Sequence, residues 1–140
     1  MTKEEELSKY MAQIEYYKEQ MNSLETQLSY VQAAINDYNR AKITIEQLEK
    51  TENNSDILLP IGGGTYVDAK SNDTSKVLFD IGSGLVTEKK SGDAIKKIDE
   101  RIQELQQNID KISAMMQQLQ AEATDISVKA QKLYTEMQQG

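Results

Sequence analysis

Two glycine clusters are the residues here whose type and spacing most suggest chemistry. Gly62-Gly63-Gly64 could cradle a phosphate, because successive backbone N–H groups in a glycine-rich turn point at an anion. No Gly-Lys-Ser/Thr follows it, and a hairpin turn accounts for the glycines better. Gly82-Ser83-Gly84 sets a serine between glycines, yet the chain has no histidine to activate the hydroxyl. The same absence removes an imidazole base and an imidazole metal ligand. With no cysteine there is neither thiolate chemistry nor a disulfide framework. Carboxylates are abundant but interleaved with lysines on solvated faces, which is no pattern for a paired acid and base. Asn53-Asn54-Ser55 and Asn72-Asp73-Thr74 match a glycosylation pattern that means nothing without secretion. No enzyme, cofactor or metal site is expected.

Composition narrows the remaining classes. Of 140 residues, 38% are hydrophobic and 28% charged, and the mean hydropathy is −0.66. Those values suit an elongated helical chain better than a thick-cored globule. A net charge of −7 leaves no basic stripe to displace counterions from nucleic acid, and disfavours anionic membranes. The opening MTKEEELSKY is acidic and polar, unlike a signal peptide. No apolar run approaches the roughly 20 residues that span a bilayer. A soluble, cytoplasmic protein is expected, without nucleic-acid or membrane partners.

The elements come next. Residues 2–53 contain no Gly or Pro, and apolar residues recur at 3-4 spacing: Leu7, Tyr10, Ile14, Tyr17, Met21, Leu24, Leu28, Val31, Ile35, Tyr38 and Ile45. Only Lys42 interrupts them. Heptads sustained this long predict a coiled coil, in a helix ~75 Å long at 1.5 Å per residue. For Lys42 the preferred reading is a packed stem with the ammonium reaching out to water; the other is a register-fixing contact with a neighbour. Asn53-Asn54 would end the helix, since Asn tolerates the left-handed cap conformation. A second heptad run fills 92–138: Ile95, Ile98, Ile102, Leu105, Ile109, Ile112, Met116, Leu119, Ala123, Ile126, Ala130, Leu133 and Met137. Ser91 is its expected N-cap, with Asp93 in the first turn. Two helices of similar length joined by a compact insert make an antiparallel hairpin, with Leu7 level with Met137 and Ile45 near Ile98 or Ile102. The two chain ends then meet at a tip away from the insert.

Residues 1–21 and 130–140 are rich in adaptable side chains: Tyr10, Tyr16, Tyr17, Tyr134, Met1, Met11, Met21 and Met137. Met11, Tyr16 and Tyr134 fall off the seam, where the partner helix cannot cover them. Ala123 and Ala130 each remove packing that Leu would supply, about 1–2 kcal/mol apiece. Either Ala permits close approach and Met and Tyr fill space, or a loosely packed end grips apolar surfaces of varied shape.

Between the helices, 57–90 holds five of the seven glycines and the single proline, Pro60. Four strands are predicted, Ile57–Ile61, Thr65–Lys70, Lys76–Ile81 and Leu85–Lys89. Three-residue loops at the glycine clusters close two hairpins, and Ser71–Ser75 joins them. Val77, Phe79 and Ile81 should point one way, Leu78 and Asp80 the other. Isolated hairpins expose unpaired edges and lack a core; as a mere cap they would leave Leu59, Val77, Phe79 and Val86 uncovered. Pairing with hairpins of other chains into a barrel is the expected solution. The fold class is therefore mainly α: a long antiparallel coiled-coil hairpin with two β-hairpins between the helices, their strands contributing to an oligomeric β-barrel.

A helix, a hairpin insert and a second helix, with LLPIGGGTYV and DTSKVLFDIGSGLVTEK between them, resembles the prefoldin (GimC) family. The resemblance covers nearly the whole chain and is to the α class, whose insert carries two hairpins where the β class has one. It implies a single prefoldin-like unit over 1–140. It also implies a hexamer of two α-class and four β-class subunits, with hairpins forming a platform and coiled coils projecting from it. The activity implied is ATP-independent holding of unfolded client proteins at the coil tips and their transfer to a group II chaperonin. Carried onto this sequence, Leu59, Ile61, Tyr66, Val67, Val77, Phe79, Ile81, Leu85 and Val86 would serve oligomerisation. Leu7, Tyr10, Met11, Ile14, Tyr17, Ile126, Leu133 and Met137 would touch clients. A structural coiled-coil scaffold or spacer with a single defined partner is the alternative.

Overall fold

A computed structural model describes residues 2–140; Met1, counted above among the tip methionines, lies outside them. Helices α1 (Lys3–Glu49) and α2 (Ser91–Gln139) flank strands β1 (Asp56–Gly62), β2 (Thr65–Lys70), β3 (Lys76–Gly82) and β4 (Leu85–Lys90). The strands form two separate antiparallel pairs, β1-β2 and β3-β4. This is the mainly α arrangement with two small hairpins that the residue pattern predicts, each strand within one residue of its expected bounds. The residues fall into two compact units, one spanning Ile35–Glu104, the other joining the chain up to Ala34 with Leu105–Gly140.

In the first unit a small core gathers Ile45, Ala94 and Ile98, with Tyr38, Val77, Phe79, Ile95 and Ile102 packed against it. Ile45 meets Ile98 and Ile102, as an antiparallel pair requires. Ala94 is fully buried although the heptad reading passes over it in favour of Ile95. A methyl group there admits the hairpin base close to the helix start. Lys42 keeps the packed stem of the preferred expectation, being half-buried, but its ammonium is not free: Nζ lies 2.9 Å from Asp99 Oδ1 on α2, an ion pair at the surface. That hydrogen bond with Asp99 raises the Lys42 pKa above its ordinary value, so the contact persists until strongly alkaline pH. Arg101 Nη1 donates to the Tyr38 hydroxyl at 3.0 Å, and its guanidinium lies 5.1 Å from the Phe79 ring centre, fixing β3 to both helices through charge and ring faces.

The ends of the helices differ from expectation. α1 stops at Glu49, short of Asn53, where Lys50 and Thr51 amides tighten onto the carbonyls of Gln47 and Leu48, which satisfies orphan carbonyls. Asn54 does take a left-handed φ of 62°, but in the turn entering β1, its amide donating to the Ser71 carbonyl at 2.8 Å. Ser91 does not use its hydroxyl as a helix cap; the group donates to the Thr74 carbonyl at 3.3 Å. Ser71 Oγ likewise donates to Glu52 O at 3.0 Å, and Asn53 Oδ1 accepts from the Thr74 amide at 3.0 Å. Together these bonds tie the end of α1, both hairpin bases and the start of α2. Asp73, accepting from the Ser75 hydroxyl and amide, is held below the usual carboxylate pKa. A depressed carboxylate adds stability above its unfolded pKa and loses it as pH falls through the folded value, so this turn loosens only in acid.

The hairpin loops are two residues long, not three. Gly63-Gly64 and Ser83-Gly84 carry positive φ at both central positions, the signature of a type I′ turn whose twist matches the strands. Each is preceded by a register shift, between Pro60 and Gly62 and between Asp80 and Gly82. That bulge absorbs the extra residue and explains why Ile81 is exposed while Val77 and Phe79 are half-buried. Ser83, at φ 54°, occupies a region costly for a side chain that is not Gly, Asn or Asp. Ser83→Asn supplies the Asn-Gly pair such turns favour and should stabilise the hairpin by about 0.5–1 kcal/mol, read as a raised melting temperature.

Candidate functional site

The unit holding both chain ends starts from a capping box. Thr2 Oγ1 accepts from the Glu5 amide at 3.2 Å, and the Glu5 carboxylate accepts from the Thr2 amide at 3.4 Å, so α1 is held to its first turn. Leu24, Ile112, Ala130 and Leu133 are buried between the helices. The pairing is antiparallel: Leu7 shares a groove with Ala130 and Tyr134, while Tyr30 shares one with Lys111 and Ile112. Leu7 thus lies level with residues 130–134, a turn nearer the hairpins in sequence than Met137.

Two of this unit's open grooves lie beside Ala123 and Ala130. One of about 420 Å³ is lined by Leu7, Met11, Ile14, Ala130 and Tyr134, among others. A larger one, about 700 Å³, lies along Ile14, Tyr17 and Met21 on α1 and Ala123, Val128 and Gln131 on α2. The cause is in the sequence: at Ala123, half-buried, a methyl group stands where a leucine would fill the seam and the gap stays open, whereas Ala130, equally short, is covered by its neighbours. Met11 and Tyr16 are each 57% exposed, Tyr134 is exposed as well, and the Tyr16 and Tyr17 rings meet edge-on at 5.9 Å. Met adapts its shape, and Tyr supplies broad contact area at low entropy cost.

Of the eight residues expected to touch clients, Met11 is exposed, and Leu7, Tyr10, Ile14, Tyr17, Ile126 and Met137 are half-buried, with part of each surface open. Leu133 is buried inside the pair, so it supports the groove from beneath. Heptad reading missed Val128, well exposed on the groove's edge; as an apolar residue off the seam it carried the signal that singled out Met11. Gln13 was also missed. Its Oε1 is buried without a hydrogen-bond partner, a defect costing about 1–3 kcal/mol. Gln13→Met removes the orphan acceptor at similar length and should raise stability by about 1 kcal/mol, measurable in a denaturant melt.

The nine residues expected to serve assembly divide in two. Leu59, Ile61, Tyr66, Val67, Ile81, Leu85 and Val86 are exposed, as are Leu58 and Leu78, which share their strand faces with Tyr66 and Val86 respectively. Val77 and Phe79 instead pack on this chain's own helices, through the Arg101 contact that sequence pattern could not reveal. A patch of this extent on two hairpins with unpaired edges is a surface that water alone covers poorly. Among the described residues, no group of three His, Cys, Asp or Glu side chains could hold a metal ion, and no helix is long and apolar enough to cross a membrane.

A family model for prefoldin subunits matches residues 17–136. Among solved structures, the chain is similar to a filamentous PFD from Methanocaldococcus jannaschii determined by cryo-electron microscopy. That match has a TM-score of 0.67 at 22% identity and covers 89% of this chain and 97% of the other. It is also similar to the crystal structure of the prefoldin beta subunit from Thermococcus strain KS-1, with a TM-score of 0.59 at 13% identity, over 90% of each chain. At these identities the likeness establishes the fold. No curated sequence matches.

Proposed function

This chain belongs to the prefoldin family, and from that premise we propose that it is an α-class subunit of an ATP-independent holdase. Its two hairpins support the α-class assignment. In this reading it joins β-class subunits as an α2β4 hexamer in the cytoplasm, its exposed hairpin faces closing barrels with theirs. The complex takes up non-native polypeptides, keeps them from aggregating and passes them to a group II chaperonin. The observation that carries the reading is the pair of open grooves beside Ala123 and Ala130, the smaller one lined by exposed Met11 and Tyr134 and the larger one by Ile14, Tyr17, Met21 and Val128 among polar side chains. Flexible and aromatic side chains in such a groove suit many unfolded sequences and discriminate among few. No bond is made or broken in this activity. The client gains burial for its exposed apolar side chains, each worth about 1.5–3 kcal/mol when fully covered.

The test is aggregation of a chemically denatured protein diluted into the assembled complex without nucleotide. The full chain should suppress light scattering at near-stoichiometric amounts. Ala123→Leu should raise helix-pair stability by about 1–2 kcal/mol while weakening suppression several-fold, because filling the gap closes the larger groove. Unchanged suppression by Ala123→Leu would remove the groove from the account. Absence of suppression by the full chain would favour the scaffold alternative.

A further inference from the structure

The chain has six methionines and no cysteine, so no thiol of its own competes for an oxidant and the thioether sulfurs react in its place. The described methionines differ in depth. Met11 is 57% exposed and Met115 52%, whereas Met21, Met116 and Met137 are half-buried on the helix seams. An oxidant in water therefore meets Met11 and Met115 first. These two differ in their surroundings. Met11 lines the smaller groove at the chain ends, and Met115 lines neither that groove nor the larger one.

The groove around Met11 holds donors that a thioether barely uses, sulfur being a weak acceptor. Ser127 brings a hydroxyl and Gln131 an amide N–H to the same lining. The Tyr134 hydroxyl, also there, accepts a hydrogen bond from Gln138 Nε2 at 2.8 Å, so its own proton is free to donate. A sulfoxide oxygen is a far better acceptor than a thioether and suits such donors.

We propose that Met11 is an oxidation switch on client holding: its conversion to the sulfoxide makes the smaller groove polar and weakens the grip on the client. The inference rests on the reading that the paired chain ends hold clients. With a hydroperoxide as the oxidant, the sulfur lone pair attacks the terminal peroxide oxygen. An S–O bond forms, the O–O bond breaks, and the departing oxygen takes up a proton to leave as water or an alcohol. Sulfur is oxidised, the peroxide is reduced, and nothing else is consumed. A polar, chiral group then stands where a flexible apolar one stood. Before oxidation, a client's apolar side chain covers the thioether and gains by it. Afterwards it must displace water, or the Ser127, Gln131 and Tyr134 donors, from the S=O dipole without replacing those hydrogen bonds. Met115, outside both grooves, undergoes the same reaction without consequence for holding. Sulfoxide reductases reverse the modification, so the switch resets.

To test this, the full-length chain is treated with hydrogen peroxide, freed of it with catalase, and assembled with an untreated one-hairpin prefoldin subunit. Peptide mass spectrometry gives the sulfoxide at each methionine, native mass the state of the complex, and fluorescence anisotropy the affinity for a labelled unfolded polypeptide. Met11 and Met115 should oxidise before Met21, Met116 and Met137. Affinity should fall about five- to tenfold as the Met11 sulfoxide accumulates, the complex staying assembled, and methionine sulfoxide reductase should restore it. Met115→Leu should lose affinity on treatment as the parent does, whereas Met11→Leu, whatever its starting affinity, should not respond. Unchanged affinity with Met11 oxidised, an equal loss in treated Met11→Leu, or dissolution of the complex on oxidation overturns the switch and leaves holding standing. An untreated parent complex that binds no polypeptide overturns the holding reading, and the switch with it.

Discussion

Replacing Met11, Tyr16 and Tyr134 together by serine is expected to abolish most client holding while leaving the helix pair folded. All three side chains are exposed, so the folded chain buries little through them, and surface changes of this kind typically fall within about ±0.5 kcal/mol each. The losses are small and local: the Tyr16–Tyr17 ring contact and the hydrogen bond from Gln138 Nε2 to the Tyr134 hydroxyl. A client covering these side chains would lose on the order of 1 kcal/mol or more at each. Together that is about a hundredfold in affinity. Circular dichroism should show an unchanged melt, and fluorescence anisotropy of a labelled unfolded polypeptide should show the loss of binding. A melt lowered by many degrees would mean that these residues hold the coil together.

The second large effect belongs to the hairpins. Leu78 is 72% exposed in the single chain, and Val86 is exposed on the same face. Leu78→Asp with Val86→Asp should therefore leave the isolated fold intact. In an assembly that covers both, the change forfeits burial of about 1.5–3 kcal/mol per side chain and places carboxylates where they lose water. A combined penalty of roughly 5 kcal/mol raises a dissociation constant by about three to four orders of magnitude. Sedimentation should show the complex replaced by single chains at concentrations where the parent stays assembled. Persistence of the full complex would mean that this face meets no neighbour.

The sequence made the elements legible because each has a repeating signature. Heptads from Leu7 to Ile45 and from Ile95 to Met137 define the helices, and alternation between glycine clusters defines the strands. What escaped was decided by single contacts between residues distant in sequence. Lys42 looks like a flaw in the seam until Asp99, 57 residues on, is brought to 2.9 Å. Val77 and Phe79 read like the other apolar strand residues, and only Arg101 and the Ile45–Ile98 core show that they face inward. The hairpin loops were judged one residue too long because a bulge at Ile61 or Ile81 leaves no mark in composition. Leu133 obeys the same heptad as Ile126 but is covered more fully, and periodicity does not report depth. The openness beside Ala123 was readable as lost volume, though not whether the neighbours would close over it.

Native mass measurement of the complex, with and without a denatured client, probes both halves of this account in one experiment. The parent chain with a one-hairpin partner subunit should give a hexamer that gains one client mass. The Met11, Tyr16 and Tyr134 serine variant should give the same hexamer with the client mass missing, and the Leu78 and Val86 aspartate variant no hexamer at all. A serine variant that still carries client, or an aspartate variant that still assembles, would contradict the assignment of holding to the paired chain ends and of assembly to the hairpins.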